Sequence, residues 1–319
     1  MSFSSNRSIL RFIYFLGVIR WYNLILLAAS QYILSAYILL LQHGERSKKL
    51  AFWFFLTDTT VHGMVLATIF TVASIFMINA FYDKEKDWVN KPGMALMSQA
   101  VGNAQLANLY IIFNTLGLIF AVLASVKAAL FFLGFQFFGW FYSHKLQKKP
   151  FLRELSAGVL TIAPLVAIWI HFSMPEVGLI TFFTGLLTLL TVKDILKDVS
   201  GHRGNLIFGY HTVVEITGLD RIKRWVLLFT TTAILVFTLI SLVWPFSSDQ
   251  KPSDIITITG VALLLTWLNS MGWFMSKSQK IQKWCLRLQK LFVVSLMSGL
   301  FIIIVYRYVL FFLYDKVAP

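Results

Sequence analysis

Long runs of apolar residues, separated by short polar segments, follow one another along the whole chain. Each run approaches or exceeds the length of about 20 residues that an α-helix needs to cross a bilayer. The runs are 21–41, 61–80, 104–123, 126–143, 155–173, 177–193, 224–244, 254–275 and 288–313. The pattern predicts an all-α protein with about nine transmembrane helices, forming a single membrane domain over residues 1–319.

The composition favours a membrane protein over a soluble one. Hydrophobic residues make up 58% of the 319 residues, charged residues 13%, and the mean hydropathy is +0.74. Soluble domains carry roughly 45–50% apolar and about 25% charged residues. The chain contains one cysteine, so it cannot form an intramolecular disulfide and has too few thiolates for a zinc or iron–sulfur site.

The net charge of +14 reflects where the basic residues fall. Most lysines and arginines lie in segments that share one side of the bilayer if the N-terminus is inside, and basic loops stay on the cytoplasmic side. They form no continuous stripe, so nucleic acid is not an expected partner. We expect an integral protein of a bacterial inner (cell) membrane, with membrane lipid as a partner and its active site facing the cytoplasm.

One acidic cluster follows the second predicted span, in the segment N-A-F-Y-D-K-E-K-D. Asn79, Asp83 and Asp87 are spaced four residues apart, so they line one face if the helix continues past the membrane boundary. Magnesium prefers oxygen ligands such as these, completed by phosphate oxygens and water. The alternative is a solvated surface turn in which the charges of Asp83 to Asp87 pair with one another.

A second cluster repeats this spacing at the end of the sixth predicted span. Asp194 and Asp198 are four residues apart, and Lys193 and Arg203 lie in the same segment, where they can hold diphosphate oxygens. The alternative here is a basic membrane anchor with two incidental aspartates. Because four spans separate two similar clusters that open on the same face, we expect two related helical halves facing one another across a pocket.

These motifs together resemble those of the UbiA-type intramembrane prenyltransferases. The resemblance rests on N-x-x-x-D-x-x-x-D followed by Asn90-Lys91-Pro92, and on K-D-I-x-x-D-V-x-G in the second cluster. Arg20-Trp21-Tyr22-Asn23-Leu24 with Gln31-Tyr32 is similar to the family's first-helix segment. Tyr142-Ser143-His144-Lys145-Leu146 is similar to its Y-S-x-x-L-K loop.

The resemblance implies helices around a central lipid-accessible cavity that holds a Mg²⁺-bound polyprenyl diphosphate and a hydrophobic acceptor. It implies catalytic and metal-binding roles for Asp83, Asp87, Asp194 and Asp198. The substrate-binding residues would be Asn23, Asn79, Lys91, Tyr142, Lys145, Lys193 and Arg203. Phe81, Tyr82 and Tyr142 are candidates for facing the cavity, where their rings would stabilise an allylic cation.

The chain departs from the family's pattern at three places. Gly93-Met94 stands where an Arg-Pro pair is usual, and His202 stands where the second motif usually has its last aspartate. Gln147 occupies the position of a loop lysine, with Lys145 and Lys148 close enough to substitute. His202 and His211 are also candidate bases for the acceptor, whereas His62 and His171 are expected to make helix–helix hydrogen bonds.

Three functions remain open at this point. The leading one is transfer of a polyprenyl group to an aromatic or quinone precursor or to a geranylgeranylglyceryl phosphate-like lipid. The K-D-I-x-x-D-V-x-G form is more similar to the branch acting on geranylgeranylglyceryl phosphate or homogentisate than to the one making haem O. The alternatives are a catalytically degenerate isoprenoid-binding homologue and a transporter, which predicts acidic residues near the midplane rather than at span ends.

Overall fold

The computed structural model describes residues 2–43, 57–173, 177–218, 221–222, 224–228 and 231. Within those residues the regular elements are all helices. They are α1 (Ser2–Val18), α2 (Trp21–His43), α3 (Thr59–Tyr82), α4 (Lys84–Asn90), α5 (Pro92–Val101), α6 (Asn103–Ala124), α7 (Val126–His144), α8 (Leu152–Phe172), α9 (Val177–Ser200), α10 (His202–Ile207) and α11 (Val213–Thr217), with a 3₁₀ turn at Leu146–Lys148.

The first six predicted spans coincide with α2, α3, α6, α7, α8 and α9. Among the described helices, α3, α6 and α8 are long and apolar enough to cross a membrane. The bent pair of helical segments 8–18 and 21–36 makes a fourth candidate if it is taken as one span. Spans 254–275 and 288–313, and most of 224–244, lie outside the described residues. The all-helical membrane fold is confirmed, and the number nine stays a prediction.

The N-terminal residues form a helix that the hydrophobic pattern did not predict. α1 precedes α2 and meets it at an angle of 51°. Arg20, between the two helices, has a φ of 52°, which is uncommon for a residue other than glycine. The first predicted span is therefore one arm of a broken helix.

Local capping explains where several helices begin. Asp58 caps α3 by accepting hydrogen bonds from the backbone N–H groups of Thr60 and Val61 at 2.9 and 3.2 Å, and Ser125 caps α7 through the N–H of Ala128. Pro92 opens α5 at a position where a helix needs no N–H donor. After α3 ends at Tyr82, the chain continues as two short helices, α4 and α5.

The chain forms two compact units. Residues up to 175, with Arg203–Thr212, make up the first, and Glu176–His202 with the residues from Val213 onward make up the second. In the first unit, α3 packs against α2, α6 and α7, and in the second, α9 packs against α11. The expectation of a single domain over 1–319 stays a prediction.

Polar side chains join the helices inside the first unit, as is usual where membrane helices pack. Gln31, fully buried, donates from Nε2 to Thr68 Oγ1 at 2.9 Å and to the carbonyl of Pro164 at 2.8 Å, so it ties α2 to α3 and α8. Tyr32 and His62 are hydrogen-bonded across α2 and α3 at 3.0 Å. The helix–helix hydrogen bond predicted for His62 is therefore present.

Candidate active site

The first acidic cluster follows one continuous helical path across the junction of α3 and α4. The backbone N–H of Asp83 donates to the carbonyl of Asn79 at 2.9 Å, and that of Asp87 donates to Asp83 at 2.8 Å. The same pattern continues to Lys91, whose N–H donates to Asp87 at 2.7 Å. Because the i to i+4 bonding is kept, Asn79, Asp83 and Asp87 lie on one face, as expected from their spacing.

The surface-turn alternative is right about the pairing of charges but wrong about the surface. Lys86 pairs with Asp83 and Lys91 with Asp87, yet Asp83, Lys86 and Asp87 expose only 6–7% of their surface. Glu85, in the same segment, is exposed. Buried charges are costly unless they are paired, so this segment is a buried, paired cluster and not a solvated loop.

Asp83 is held by a lysine and a tyrosine. Lys86 Nζ lies 2.6 Å from Asp83 Oδ1, and the Tyr210 hydroxyl donates to the same oxygen at 3.0 Å. Lys86 Nζ also lies over the Tyr210 ring, 4.0 Å from its centroid. Burial, followed by the negative charge of Asp83, raises the pKa of Tyr210, so its hydroxyl keeps its proton and acts as a donor.

The environment of the Asp87 carboxylate differs from that of Asp83. Asp87 Oδ1 is buried without a hydrogen-bond partner, and the Lys91 ammonium is 3.6 Å away. Burial raises the pKa of the Asp87 carboxyl, and the positive charge of Lys91 only partly opposes this. Arg20, at the break between α1 and α2, acts in the same direction as Lys91. A buried carboxylate oxygen with unused lone pairs is suited to bind a cation.

This donor set fits a magnesium ion. Carboxylate oxygens are the ligands that Mg²⁺ takes from proteins, usually one or two, with phosphate oxygens and water completing the shell. Among the described residues, no three His, Cys, Asp or Glu side chains come together as a ready-made metal site. A metal at Asp83 and Asp87 therefore needs oxygens from outside those residues, which a diphosphate supplies.

The contact of Tyr210 with the first acidic cluster was not predicted from the sequence. Tyr210 is buried, with 4% of its surface exposed, and it belongs to the segment 203–212 of the first unit. Two more cations surround its ring, Lys148 Nζ at 5.7 Å and Arg153 Cζ at 6.0 Å from the centroid. Since 127 residues separate Tyr210 from Asp83, no local spacing signals their contact.

A glycine brings the segment 203–212 against the first motif. The Gly204 N–H donates to Asn90 Oδ1 at 3.1 Å. A Cβ atom at position 204 would lie 2.5 Å from that oxygen, which is closer than any real contact. Asn90 of the N-K-P motif therefore contacts the segment that carries Tyr210, and the absence of a side chain at Gly204 lets the Asn90 amide approach this closely.

One contact links the Tyr-Ser motif to the first acidic cluster. Ser143 Oγ lies 3.5 Å from Asn79 Oδ1, which brings the last turn of α7 next to the first motif. Gln147 is buried and donates to the Ser143 carbonyl at 2.6 Å, so this replacement of the family's lysine is structural. The remaining predicted side chains are half-buried or exposed: Asn23, Lys91, Tyr142 and Lys145.

The second acidic cluster lies in the second unit, at the end of α9. The helix extends to Ser200, beyond the predicted span end at 193, so Asp194 and Asp198 are on one helical face. Asp198 is buried, and Asp194 Oδ1 is 3.8 Å from Lys197 Nζ. Lys193 is half-buried, and the side chain of Arg203 lies outside the described side chains. A pocket shared by the two clusters stays a prediction.

A small apolar pocket lies beside the last turns of α3. Its volume is about 70 Å³, and its lining is Met77, Ile78, Phe81, Leu106, Ala107 and Tyr110. Phe81 thus lines a small pocket, and its place in a substrate cavity stays a prediction. Tyr82 does not line it and instead packs edge-on against the His144 ring.

The fold and the site define a class, the helical membrane proteins that carry buried aspartates at the ends of their spans. Residues 55–296 match the UbiA prenyltransferase family. The chain belongs to that family.

Relatives of known name are digeranylgeranylglyceryl phosphate synthases. That of Pyrococcus abyssi is 29% identical over 145 residues, which are 45% of this chain and 52% of the relative. That of Thermococcus gammatolerans is 28% identical over 163 residues, or 49% and 58% of the two chains. The chain spans about half the length of these relatives.

Solved structures of UbiA homologues have the same fold. A UbiA homolog from Archaeoglobus fulgidus bound to GPP and Mg²⁺ has a TM-score of 0.61 at 14% identity, covering 90% of this chain and 99% of that one. The apo UbiA homolog from Aeropyrum pernix K1 has a TM-score of 0.57 at 13% identity, covering 89% and 98%. At these identities the likeness concerns the fold alone.

Proposed function

We propose that this protein transfers a polyprenyl group from a polyprenyl diphosphate to a hydrophobic acceptor within the membrane, and that the reaction requires Mg²⁺. The observation that carries the proposal is the buried row at the end of α3. Asp83 and Asp87 lie four residues apart on one face, and Asp87 Oδ1 has no hydrogen-bond partner. In a member of a prenyltransferase family, such a row is best explained as a diphosphate–metal site.

Asp83, Asp87, Asp194 and Asp198 would hold the metal. When bound, Mg²⁺ neutralises the charge of a departing diphosphate and orients it. Phosphate oxygens and water would complete the shell, because Asp83 and Asp87 alone offer too few ligands for octahedral coordination. Both pairs of aspartates are required if they share one diphosphate.

The basic side chains near each acidic cluster would bind the diphosphate oxygens. Lys91 in the first unit and Lys193 in the second neighbour the carboxylates in sequence, and Lys145 and Arg203 are the further candidates. Each charge-assisted hydrogen bond strengthens as the oxygen that links the diphosphate to the prenyl group gains negative charge. Asn79, Asn23 and Tyr142 would position the substrates by hydrogen bonding.

Heterolysis of the carbon–oxygen bond leaves an allylic cation on the prenyl group. Aromatic ring faces stabilise a cation by roughly 0.5–2 kcal/mol each. Phe81 lines the apolar pocket beside the last turns of α3, which makes it the first candidate for this role. The acceptor then attacks the cation, and its proton passes to a base such as His202 or His211.

The acceptor that we propose is a lipid resembling geranylgeranylglyceryl phosphate. The relatives at 28–29% identity are digeranylgeranylglyceryl phosphate synthases. The K-D-I-x-x-D-V-x-G form of the second motif is also similar to the branch that acts on geranylgeranylglyceryl phosphate or homogentisate. An aromatic or quinone precursor is the competing acceptor. A bacterial inner membrane and a site open to the cytoplasm are part of the same proposal and rest on the distribution of basic loops.

A transfer assay with a panel of acceptors tests the proposal. The purified full chain is incubated with geranylgeranyl diphosphate, Mg²⁺, and either geranylgeranylglyceryl phosphate or a phenolic acid, and the lipid product is identified by mass spectrometry. We expect product with the phosphate lipid and none without metal. Product with the phenolic acid alone would replace the proposed acceptor.

The second candidate function is a non-catalytic isoprenoid-binding homologue. It is favoured by one observation, that Lys86 and Tyr210 already occupy Oδ1 of Asp83. Binding of geranylgeranyl diphosphate without turnover of any acceptor in the panel would support it over the enzyme.

A further inference from the structure

Lys86 is a buried cation in the middle of the first motif. Its side chain is 7% exposed, and its ammonium lies 2.6 Å from Asp83 Oδ1 and 4.0 Å from the centroid of the Tyr210 ring. The neighbouring Lys84 is half-buried and Glu85 is exposed. Lys86 therefore differs from the other charges of this segment because it points into the site.

Three groups form a closed triangle here. Asp83 Oδ1 accepts hydrogen bonds from both Lys86 and the Tyr210 hydroxyl, and Lys86 in turn contacts the Tyr210 ring. A carboxylate oxygen has two lone pairs in its plane, so these two donors fill the hydrogen-bonding capacity of Oδ1. The paired ion and the ring face make the burial of the ammonium tolerable.

This arrangement affects any metal that binds Asp83. A divalent ion at Asp83 would lie within a few ångströms of the Lys86 ammonium, and charges that close repel strongly in a site with little water. A metal arriving alone thus competes with an internal cation that is already bound.

The ammonium can leave Asp83 when a better acceptor arrives. Lysine carries three donors on a flexible four-carbon stem, and a diphosphate oxygen is a strong acceptor for a charged donor. If Lys86 turns to the diphosphate, Asp83 Oδ1 is released to the metal and the repulsion is offset by the added negative charge. Metal and diphosphate then favour each other's binding.

We propose that Lys86 couples metal binding to diphosphate binding, by occupying Asp83 in the absence of diphosphate and moving to a phosphate oxygen in its presence. The inference rests on the proposed function to the extent that it takes Asp83 as a metal ligand and a diphosphate as the donor substrate. It assigns Lys86 and Tyr210 a role that the motif itself does not include. The coupling is reciprocal, so either ligand can be used to measure it.

The test measures binding and needs no turnover. Mn²⁺ binding to the full chain in detergent is followed by electron paramagnetic resonance, and pyrophosphate binding is followed by calorimetry with and without saturating Mn²⁺. In the unaltered protein, Mn²⁺ should tighten pyrophosphate binding by roughly tenfold or more. Lys86→Met should bind Mn²⁺ alone roughly tenfold more tightly, because the competing charge is gone, and Mn²⁺ should tighten its pyrophosphate binding much less.

Lys84→Met is the matched control. It removes a positive charge only two residues from Lys86, but the Lys84 side chain is not part of the triangle. It should leave both measurements within about twofold of the unaltered protein. Lys86→Gln keeps a donor for Asp83 without the charge and carries the same prediction as Lys86→Met, in case the latter does not fold. Melting temperatures establish that the variants are folded.

Unchanged or weaker Mn²⁺ binding in the Lys86 variants would overturn the inference, and so would an equal effect from Lys84→Met. These outcomes are separate from the fate of the proposed function. If Mn²⁺ and pyrophosphate binding are coupled through Lys86 but the protein transfers no prenyl group, the role of Lys86 is supported and the proposed enzymatic function is rejected. If the protein transfers prenyl groups but its Mn²⁺ affinity does not depend on Lys86, the proposed function is supported and the role of Lys86 is rejected.

Discussion

Asp83 and Asp87 are both buried, but they have different partners. Asp83 is neutralised by Lys86 and hydrogen-bonded to Tyr210, whereas Asp87 has an oxygen with no hydrogen-bond partner and a lysine at 3.6 Å. The sequence predicted that the two carboxylates share a face, because residues four apart in one helix are neighbours. It gave no indication of Tyr210, because contact across 127 residues depends on the tertiary fold.

Asparagine at a metal-binding aspartate should abolish most of the activity. We expect Asp83→Asn, Asp87→Asn, Asp194→Asn and Asp198→Asn each to lower Mg²⁺-dependent turnover by at least about 100-fold, since each removes a charged ligand. Glu85→Gln is the control, because Glu85 is exposed in the same segment. Steady-state prenyl transfer measures the effect, and unaltered turnover in Asp83→Asn would remove Asp83 from the metal site.

The raised pKa of Asp87 predicts how stability depends on pH. An acid whose folded-state pKa lies above its unfolded value favours folding when it is protonated, so its ionised form costs stability at neutral pH. With the metal chelated, Asp87→Asn should melt a few degrees higher than the unaltered protein at about pH 7 and lose this advantage near about pH 4.

Differential scanning fluorimetry in the presence of EDTA provides the measurement for Asp87. Glu85→Gln, at an exposed carboxylate, should show no such pH-dependent gain. A lower melting temperature for Asp87→Asn at neutral pH would mean that the ion pair with Lys91 outweighs the cost of burial, contrary to the direction of the pKa shift.

At the scale of elements, the hydrophobic runs located α2, α3 and α6 to α9 because each is long and continuously apolar. α1 was missed because its serines and arginines interrupt the apolar pattern in the first 18 residues. The short helices α4, α5, α10 and α11 have 5–10 residues each, too few for periodicity to be decisive. Pro92 at the start of α5 and tertiary contacts such as that of Asn90 with Gly204 help to position them.

Gly204 should not tolerate a side chain. Gly204→Ala places a methyl group 2.5 Å from Asn90 Oδ1, so either the Asn90 amide turns away and its hydrogen bond to the N–H of residue 204 is lost, or the segment that carries Tyr210 moves. We expect a loss of stability of about 1–3 kcal/mol, seen as a lower melting temperature, and a loss of activity. Gly93→Ala is the control, because its Cβ would meet nothing within 4 Å. Equal melting temperatures for the two variants would show that the Asn90 contact is dispensable.

At the scale of the whole molecule, the family match over residues 55–296 agrees with the helical membrane fold predicted from the sequence. A site shared by the two acidic clusters stays a prediction, because neither motif spacing nor hydropathy determines it. The distribution of basic loops does bear on it, since it predicts that both clusters open on one side of the bilayer.

Cysteine labelling from the two sides of the membrane tests this topology. We expect cysteines introduced at Lys148, Arg221 and Lys283 to react from the cytoplasmic side, and those at Lys48 and Lys251 from the outside. Cys285 is replaced first, so that it does not contribute to labelling. If cysteines at positions 86 and 197 react from opposite sides, the two clusters cannot share a diphosphate.

We propose that this chain makes a prenylated lipid by means of its buried aspartates. The most direct measurement is a comparison of lipid extracts by mass spectrometry from membranes supplied with Mg²⁺, geranylgeranyl diphosphate and geranylgeranylglyceryl phosphate. The membranes contain either the unaltered chain or Asp83→Asn at equal protein level. We predict a lipid carrying one additional geranylgeranyl group with the unaltered chain and its loss in Asp83→Asn. Identical extracts from the two membranes would contradict the account.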